Sequence, residues 1–309
     1  MGFLVETLLV GLMVGMLYAL VALGFVLIFK ASGVFNFAQG AMVLFAAMAM
    51  ARFSEWLPRW LGFQSLLLAN VLAFIATMFC MLVIARLIER LVLRPLVSQE
   101  ATVLLLATLG IAYVLEGAAQ LLFGSASYKI DLGISQEPLL VLDSMFEGGL
   151  LLSYEDLYAA LAAGMLVILL MLFFHRTRSG LALRAVADDH QAAQSIGIPL
   201  DRMWVTVWSI AGFIALMAGL VWGSKLGAQF SISLVALKAF AVVIVGGLTS
   251  VPGAILGGLI VGVSEKLSEI YLGAHLGGGI ENWFAYVLAL GVLLIRPQGL
   301  FGETIIDRV

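Results

Sequence analysis

The sequence has few charged side chains and almost no cysteine or histidine. Only 11% of its 309 residues are charged and 63% are hydrophobic, whereas a soluble domain carries roughly 25% charged residues. Such a chain has too little polar surface to cover a water-soluble globule. Its apolar content excludes a disordered chain, and its net charge of −3 excludes nucleic-acid binding. The single cysteine, Cys80, excludes an internal disulfide, and three dispersed histidines do not indicate a zinc site.

The sequence has instead a series of long uncharged runs. A membrane-spanning helix needs about 20 apolar residues, and the alternation typical of an outer-membrane barrel is absent. The runs are residues 7–29, 31–51, 60–85, 101–115 with 117–128, 157–174, 203–224, 239–264 and 282–295. We therefore predict an all-α polytopic transmembrane helix bundle of about eight spans, within a range of about eight to ten, as a single transmembrane domain over residues 1–309.

The second run contains polar residues at 35–40, and we predict a broken or half helix there. Residues 35–40 bring two amide side chains, Asn36 and Gln39, into a stretch where apolar side chains are expected. The two amides are three residues apart and would share one face of a continuous helix. They either line a passage through the bundle or hydrogen-bond to another helix.

The run at residues 239–264 contains six glycines and Pro252, which weaken a helix or remove a backbone donor. We predict two short helices on either side of residues 246–252. A broken helix is tolerated at membrane depth only where protein or a wet cavity covers it, as in transport pathways. The same glycines also allow a tight helix crossing, and the two interpretations are compatible.

The arginines indicate which loops face the cytoplasm, because cationic residues favour that side. They cluster in residues 84–100 and in residues 175–202, so we assign both loops to the cytoplasm. The linker between them, residues 124–153, then lies outside. It is mainly acidic, with the charged residues Lys129, Asp131, Glu137, Asp143 and Glu147. Counting the runs from these loops places the N-terminus outside, and the arginines near the end place the C-terminus inside.

The longer cytoplasmic loop contains a segment that is too polar to span a membrane. Residues 181–197 have small and apolar residues at helical spacing, with Gly180 before them and Gly197 and Pro199 as a stop signal. The apolar face is mostly alanine, which binds lipid weakly, so we favour a helix that docks in a partner's groove over one that rests on lipid headgroups.

Four stretches resemble the permease subunits of ATP-binding-cassette importers. Residues 191–197 are similar to their Glu-Ala-Ala-x-x-x-Gly signature, with glutamine in place of the glutamate. Residues 36–40 read Asn-Phe-Ala-Gln-Gly and resemble the Asn-Phe-Ala-His-Gly stretch of branched-chain amino acid permeases. Residues 176–189 resemble the loop before the coupling helix of that family, and residues 246–258 its Gly-Gly-x-Gly-Ser-x-Pro-Gly-Ala stretch. The order agrees along nearly the whole chain, which is identified as a member of the LivH-type branched-chain amino acid permease family.

Two departures from the family pattern concern the substrate. Gln39 stands where histidine is common, and Thr249 stands where glycine is usual. Members of the family carry urea, amides and aromatic acids as well as branched-chain amino acids. The resemblance therefore implies a small amino acid-like solute without choosing among these classes.

The chain lacks a nucleotide site of its own, because a P-loop requires a lysine directly after a glycine and none of the five lysines follows one. We therefore expect no ATPase activity and no bound cofactor. The resemblance implies a multi-pass protein of the bacterial inner membrane, surrounded by lipid. It further implies a second homologous permease, two separate ATPase subunits that bind ATP and Mg²⁺, and a periplasmic substrate-binding protein that meets the outer linker.

The resemblance also implies roles for particular residues. In the cytoplasmic loop, the residues expected to couple the chain to an ATPase are Arg184, Ala185, Asp188, Asp189, Ala192, Ala193 and Gly197. The residues expected along the translocation pathway are Asn36, Gln39, Gly246, Gly247, Pro252 and Gly253.

Two other functions compete with that of an importer permease. A stand-alone secondary transporter or channel, for example for urea or an amide, is the main alternative. An ion-coupled carrier usually keeps ionisable residues in mid-span, and most runs carry none there. An intramembrane enzyme is disfavoured, because no paired carboxylates, histidine cluster or Ser/His/Asp set lies within the runs.

Overall fold

The structure, a computed structural model, describes residues 2–33, 35–96, 99–134, 137–141, 149–188, 193, 195 and 197–302. Within them, the helices are α1 (Gly2–Ser32), α2 (Gln39–Leu61), α3 (Leu66–Ile88), α4 (Ala101–Phe123), α5 (Tyr154–Arg176), α6 (Arg178–Asp188), α7 (Leu200–Leu226), α8 (Ile232–Gly246), α9 (Val251–Leu276) and α10 (Phe284–Ile295). Helix α3 continues through a π-helical turn, Glu89–Leu93, into a last turn, Arg94–Leu96. The strands β1 (Pro138–Val141) and β2 (Leu150–Ser153) pair in an antiparallel hairpin.

Most of these helices have the length and composition of membrane spans, which confirms the predicted all-α bundle. Seven are long and apolar enough to cross a membrane, namely α1 to α5, α7 and α9, while α8 and α10 are apolar but shorter. Large apolar side chains such as Phe79, Leu121 and Leu294 are more than half exposed. Lipid tolerates such an exterior, whereas water does not.

The chain divides into two compact units, each assembled from separate stretches. The first unit comprises Met1–Val26, Ile134–Val167 and Leu237–Val309, and so contains most of α1, the hairpin, most of α5, most of α8, and α9 and α10. The second unit comprises Leu27–Gly133 and Ile168–Ala236, with α2, α3, α4, α6 and α7. The single transmembrane domain over residues 1–309 stays a prediction.

In the first unit, α1 and α9 cross with backbone against backbone. A Cβ atom added to Gly258 would lie 2.6 Å from the carbonyl oxygen of Gly15, and one added to Gly262 would collide with the backbone of Gly15. Gly257 faces α8 instead, where an added Cβ would lie 2.7 Å from the carbonyl oxygen of Val242. The predicted tight crossing is therefore confirmed, because only glycine allows the helices to approach this closely.

In the second unit, α2 is the central helix. Residues 39–51 are all buried, and α2 packs against α3, α4 and α7. A Cβ atom added to Gly219 of α7 would lie 2.7 Å from the carbonyl oxygen of Val43 and 2.9 Å from the nitrogen of Ala47. Small residues therefore bring α7 onto α2 as they bring α9 onto α1.

Two contacts bring the start of α3 and the ends of α4 and α7 to one end of the second unit. The N–H of Tyr128 donates to the carbonyl oxygen of Ala228 at 3.1 Å, and the N–H of Ala228 returns a bond of 2.7 Å. The side-chain amide of Asn70 donates to the carbonyl oxygen of Asp131 at 2.8 Å. The chain therefore leaves this end along α3 and returns to it along α4. Which end faces the cytoplasm stays a prediction.

The predicted break in residues 239–264 is confirmed, since α8 ends at Gly246 and α9 begins at Val251. The prediction that both helices are short is wrong for α9, which continues to Leu276. The predicted helix was too short because an uncharged run is taken to end at its first charged residue, which is Glu265 here. A helix continues through such a residue when the side chain finds a partner inside the protein.

We predict that Gly262→Ala destabilises the protein, because the added methyl group overlaps the backbone of Gly15, and overpacking of this kind costs about 1–3 kcal/mol. The matched control is Gly117→Ala in α4, where an added Cβ meets nothing within 4 Å. Thermal unfolding in detergent measures both variants. An apparent Tm for Gly262→Ala equal to that of the control would contradict the assigned crossing.

Candidate functional site

The first candidate site is the turn that joins α1 to α2. Asn36 and Gln39 are fully buried there, although both side chains are polar. The side-chain oxygen of Asn36 accepts the N–H of Ala38 at 3.0 Å, and its NH₂ group donates to Oε1 of Gln39 at 3.3 Å. The predicted break near residues 35–40 is confirmed, since α1 ends at Ser32 and α2 begins at Gln39. The prediction that both amides share a face of one helix is wrong, because Asn36 lies in the turn before α2.

A threonine that the sequence reasoning missed attaches this turn to α4. The buried hydroxyl of Thr108 accepts the N–H of Phe37 at 3.3 Å and lies 3.0 Å from the carbonyl oxygen of Phe35, to which it can donate. The interhelical hydrogen bond expected of the amides is thus made by Thr108, while the two amides bond locally. A lone threonine in an apolar helix carries no signal that identifies its partner in advance.

The second candidate site is the turn between α8 and α9. Gly247 has a φ of +107°, and Ser250 caps α9 by accepting the N–H of Gly253 at 3.0 Å. The carbonyl oxygens of Val245 and Gly246 accept the N–H groups of residues 300 and 301, at 2.9 and 3.1 Å. The segment after α10 therefore satisfies carbonyl groups that the end of α8 leaves open. Pro252 lies at the start of α9, where a missing N–H is tolerated.

These two turns contain all the predicted pathway residues. The structure brings Gly246, Gly247, Pro252 and Gly253 together in one turn of the first unit. It brings Asn36 and Gln39 together in one turn of the second unit. Their role in translocation stays a prediction.

A buried ion pair joins three helices of the first unit. Nζ of Lys238 in α8 donates to Oε1 of Glu265 in α9 at 2.7 Å, and the hydroxyl of Tyr18 in α1 donates to the same oxygen at 3.1 Å. The side chain of Glu265 is 2% exposed and that of Lys238 is 18% exposed. The expectation that mid-span positions lack ionisable residues does not hold here. Two ionisable residues are tolerated inside the bundle because their opposite charges neutralise each other.

The sequence reasoning missed Glu265 as a site residue. Glu265 and Lys238 lie at the two boundaries of the uncharged run, and a boundary residue is normally expected near the membrane surface. The sequence contains one signal that could have identified the pair. Lys238 is cationic and Glu265 is anionic, and they lie on consecutive apolar segments between which the chain reverses direction. Tyr18 lies 247 residues from Glu265 in the sequence, so its participation follows from the fold alone.

The predicted cytoplasmic helix begins earlier than expected, at Arg178, so Gly180 lies within it. The hydroxyl of Thr177 caps α6 by accepting the N–H of Gly180 at 3.0 Å. A Cβ atom on Gly180 would collide with the backbone of the last turn of α5. The corner between α5 and α6 is therefore closely packed, and glycine is required at this position.

One face of α6 packs onto the protein and the other is open. Leu183 and Val186 are buried, while Leu181 on the opposite face is 60% exposed. Ala185 and Arg184 lie on the open side and are partly exposed. Buried apolar residues thus orient the helix, and the side with Ala185 is available to a partner.

The end of the loop is described only in part. Ala193 is buried, and Gly197 has a left-handed φ of +86°, as the predicted stop signal requires. Among the predicted coupling residues, Asp189 and Ala192 lie outside the described residues, as does Gln191 of the signature. The backbone of Asp188 ends α6.

We predict that removing one member of the buried ion pair is more harmful than removing both. Glu265→Gln leaves the Lys238 charge without its partner, which typically costs about 3–5 kcal/mol, whereas an apolar replacement of a whole pair is often neutral. The double variant Lys238→Met with Glu265→Gln should therefore be more stable than Glu265→Gln alone. Thermal unfolding in detergent tests this cycle.

The matched control is the Lys266–Glu281 pair in the same unit, whose side chains are 29% and 37% exposed. Lys266→Met should change stability by at most about 1 kcal/mol, as for other exposed pairs. Equal losses for Glu265→Gln and Lys266→Met would contradict the assignment of a buried pair.

Comparisons with known proteins agree with the all-α membrane bundle. A family profile described as the permease component of branched-chain amino acid transport systems matches residues 7–296. The LivH permease of Salmonella typhimurium, named as part of a high-affinity branched-chain amino acid transport system, is 27% identical over 97% of this chain and 96% of its own length. The BraD permease of Pseudomonas aeruginosa, with the same description, is 29% identical over 97% and 96%.

A third relative also matches over most of its length and most of this chain. The probable branched-chain amino acid permease LivH of Methanocaldococcus jannaschii is 28% identical over 93% of this chain and 89% of its own. The apolar helices and these relatives together indicate a multi-pass membrane protein that works as a permease component. The chain belongs to the family of permease components of branched-chain amino acid transport systems.

Proposed function

We propose that this chain is the membrane subunit of an ATP-binding-cassette importer that moves a small amino acid-like solute across the bacterial inner membrane. The observation that carries the proposal is the family match along residues 7–296, which includes both interrupted helices and the cytoplasmic loop. The relatives are named for branched-chain amino acids, which supports a solute with an amino and a carboxyl group. The alternative of a stand-alone transporter or channel for urea or an amide is not favoured by this match.

The energy for transport comes from other subunits in this proposal. No lysine of the chain follows a glycine, so the chain has no P-loop to hold nucleotide phosphates. Two separate ATPase subunits bind ATP and Mg²⁺, and the chain itself binds no cofactor and catalyses no reaction. A second homologous permease completes the pathway, since each chain supplies one bundle.

Helix α6 is the element that meets an ATPase subunit in this proposal. Its corner with α5 is closely packed, and Leu183 and Val186 attach it to the protein, so a force on its open face moves it together with the bundle. The open face carries Ala185 and Arg184, and Nε of Arg184 is a buried donor with no acceptor among the described residues. ATPase closure then changes the access of the bundle through a rigid-body motion.

The outer linker, residues 124–153, meets the periplasmic binding protein in this proposal. Its carboxylates favour a partner with basic side chains, because complementary charges steer association. One of them also shapes the linker, since the side chain of Asp131 accepts the N–H of Gly133 at 2.8 Å. Glu137 lies directly before the first strand of the antiparallel pair.

Uptake in proteoliposomes tests the proposed function. The vesicles contain the chain, the second permease and the ATPases. They should accumulate labelled leucine only when ATP is present on the side of the membrane where the ATPases lie and binding protein is present on the opposite side. Vesicles with the chain alone are the control. Equal uptake by the chain alone would overturn the proposal and favour the stand-alone transporter.

We predict that Ala185→Arg uncouples the chain from its ATPase. A long charged side chain on the open face of α6 should weaken copurification of the ATPase by about tenfold or more, because central interface positions tolerate such changes poorly. The matched control is Ser179→Arg, which is exposed on the same helix but lies about 120° around it from Ala185. Similar copurification for both variants would place the docking surface elsewhere.

A further inference from the structure

Three hydrogen-bond donors remain unpaired at the start of α2. Nε2 of Gln39 is buried and has no acceptor among the described residues. In the same turn, the N–H of Gln39 bonds to Asn36 and that of Met42 bonds to Ala38, at 3.2 and 2.8 Å. The N–H groups between them, of Gly40 and Ala41, have no acceptor in the part of the chain that the structure describes.

These donors lie away from water. Gln39 is 0% exposed and Ala41 is 2% exposed, and Gly40 is buried as well. An N–H group at the surface of a helix end is satisfied by solvent, but a buried one without a partner is unfavourable. Three such groups on consecutive residues are donors that a bound ligand or an ordered water can satisfy.

The hydrogen bonds of the turn direct the Gln39 amide to the helix end. Asn36 donates to Oε1 of Gln39 at 3.3 Å, and Asn36 itself lies before the helix, so the amide of Gln39 lies beside the turn that precedes α2. Its acceptor oxygen is used by this bond, while its NH₂ group remains free. Ala38, the N-cap residue, makes no side-chain bond that would cover the end of α2.

The electrostatics of the turn favour a negative ligand. The start of a long helix carries the positive end of its dipole and binds anions through free N–H groups. Residues 31–51 contain no acidic side chain that could occupy this end. They contain no basic side chain either, so these residues attract an anion only through oriented dipoles and hydrogen bonds. Such a site suits a carboxylate that must also be released.

We propose that the start of α2 binds the carboxylate group of the transported solute, with Nε2 of Gln39 and the N–H groups of Gly40 and Ala41 as donors. The proposal rests on the proposed function and adds the chemical group that this turn recognises. The donors are closed off in the described structure, so the solute reaches them in a state that the transport cycle opens. Glycine is required at position 40 for packing, since an added Cβ would lie 2.8 Å from the carbonyl oxygen of Ser233 in α8.

The first test compares uptake by variants of the complete transporter, supplied with an excess of leucine-loaded binding protein. Gln39→Met keeps the length of the side chain and removes its donor. It should lower leucine uptake by about tenfold or more, because a hydrogen bond to a charged acceptor is worth at least that factor. Gln39→His retains a ring N–H and should keep more uptake than Gln39→Met. Wild-type uptake by Gln39→Met would overturn the proposal.

The matched control for the uptake test is Thr77→Val. Thr77 of α3 is also fully buried in the second unit, and its hydroxyl also lacks a partner among the described residues. Its substitution removes a buried polar group far from the turn along the chain, so uptake should stay near the wild-type rate. A loss as large as that of Gln39→Met would show that any buried polar change impairs transport and would overturn the assignment.

The second test measures contact between the solute and Gln39 directly. Only the permease is labelled with ¹⁵N in its glutamine side chains, and leucine labelled with ¹³C at the carboxyl carbon is the probe. Solid-state NMR of the complete complex, with its ATPases inhibited, should show ¹³C–¹⁵N dipolar dephasing in the wild type and in Thr77→Val. The dephasing should be lost in Gln39→Met.

The outcomes separate the two proposals. If the wild-type complex accumulates leucine without any dephasing, the donors hold water only and the carboxylate site is wrong, while the proposed function stands. If the complete complex accumulates urea or an amide and no solute with a carboxylate, both the proposed substrate class and this site are wrong.

Discussion

The structure depends on one constraint, which is that a chain in lipid has to satisfy its backbone N–H and C=O groups from within. Continuous helices meet this requirement by themselves. The two interrupted places meet it in different ways. Between α8 and α9, Ser250 caps one helix and the segment after α10 supplies donors to the other. Between α1 and α2, Asn36 and Thr108 supply part of what is needed, and the donors around Gln39 remain open.

The same medium explains how the helices hold together. Lipid gives helices little hydrophobic reason to associate, so close packing and internal polar bonds have to do so. Glycine contacts bring α9 onto α1 and α7 onto α2. The Lys238–Glu265 pair adds a polar contact among α1, α8 and α9. The proposed carboxylate site is an exception to this pattern, since the protein itself leaves its donors unpaired.

Several features of the candidate sites were predicted from local sequence patterns. The break near residue 247 was predicted because glycine and proline act on their own backbone, and Gly197 was expected at a left-handed stop for the same reason. The cytoplasmic helix was predicted, but its start was placed too late, since the cap from Thr177 and the tight corner at Gly180 depend on α5. The amides of residues 36 and 39 were singled out correctly, but helix periodicity gave the wrong geometry because the helix does not include Asn36.

Local sequence patterns are enough to place the chain in a membrane, to locate its spans roughly and to indicate which family it resembles. These properties are sums over neighbouring residues, and the cost of placing a segment in lipid is such a sum. The tertiary structure decided which polar groups meet. Tyr18 finds Glu265 across 247 residues, and Thr108 finds the turn at Phe37 across 71 residues. Such pairs depend on which helices pack together and in which rotation, and hydropathy along the chain carries no information about either.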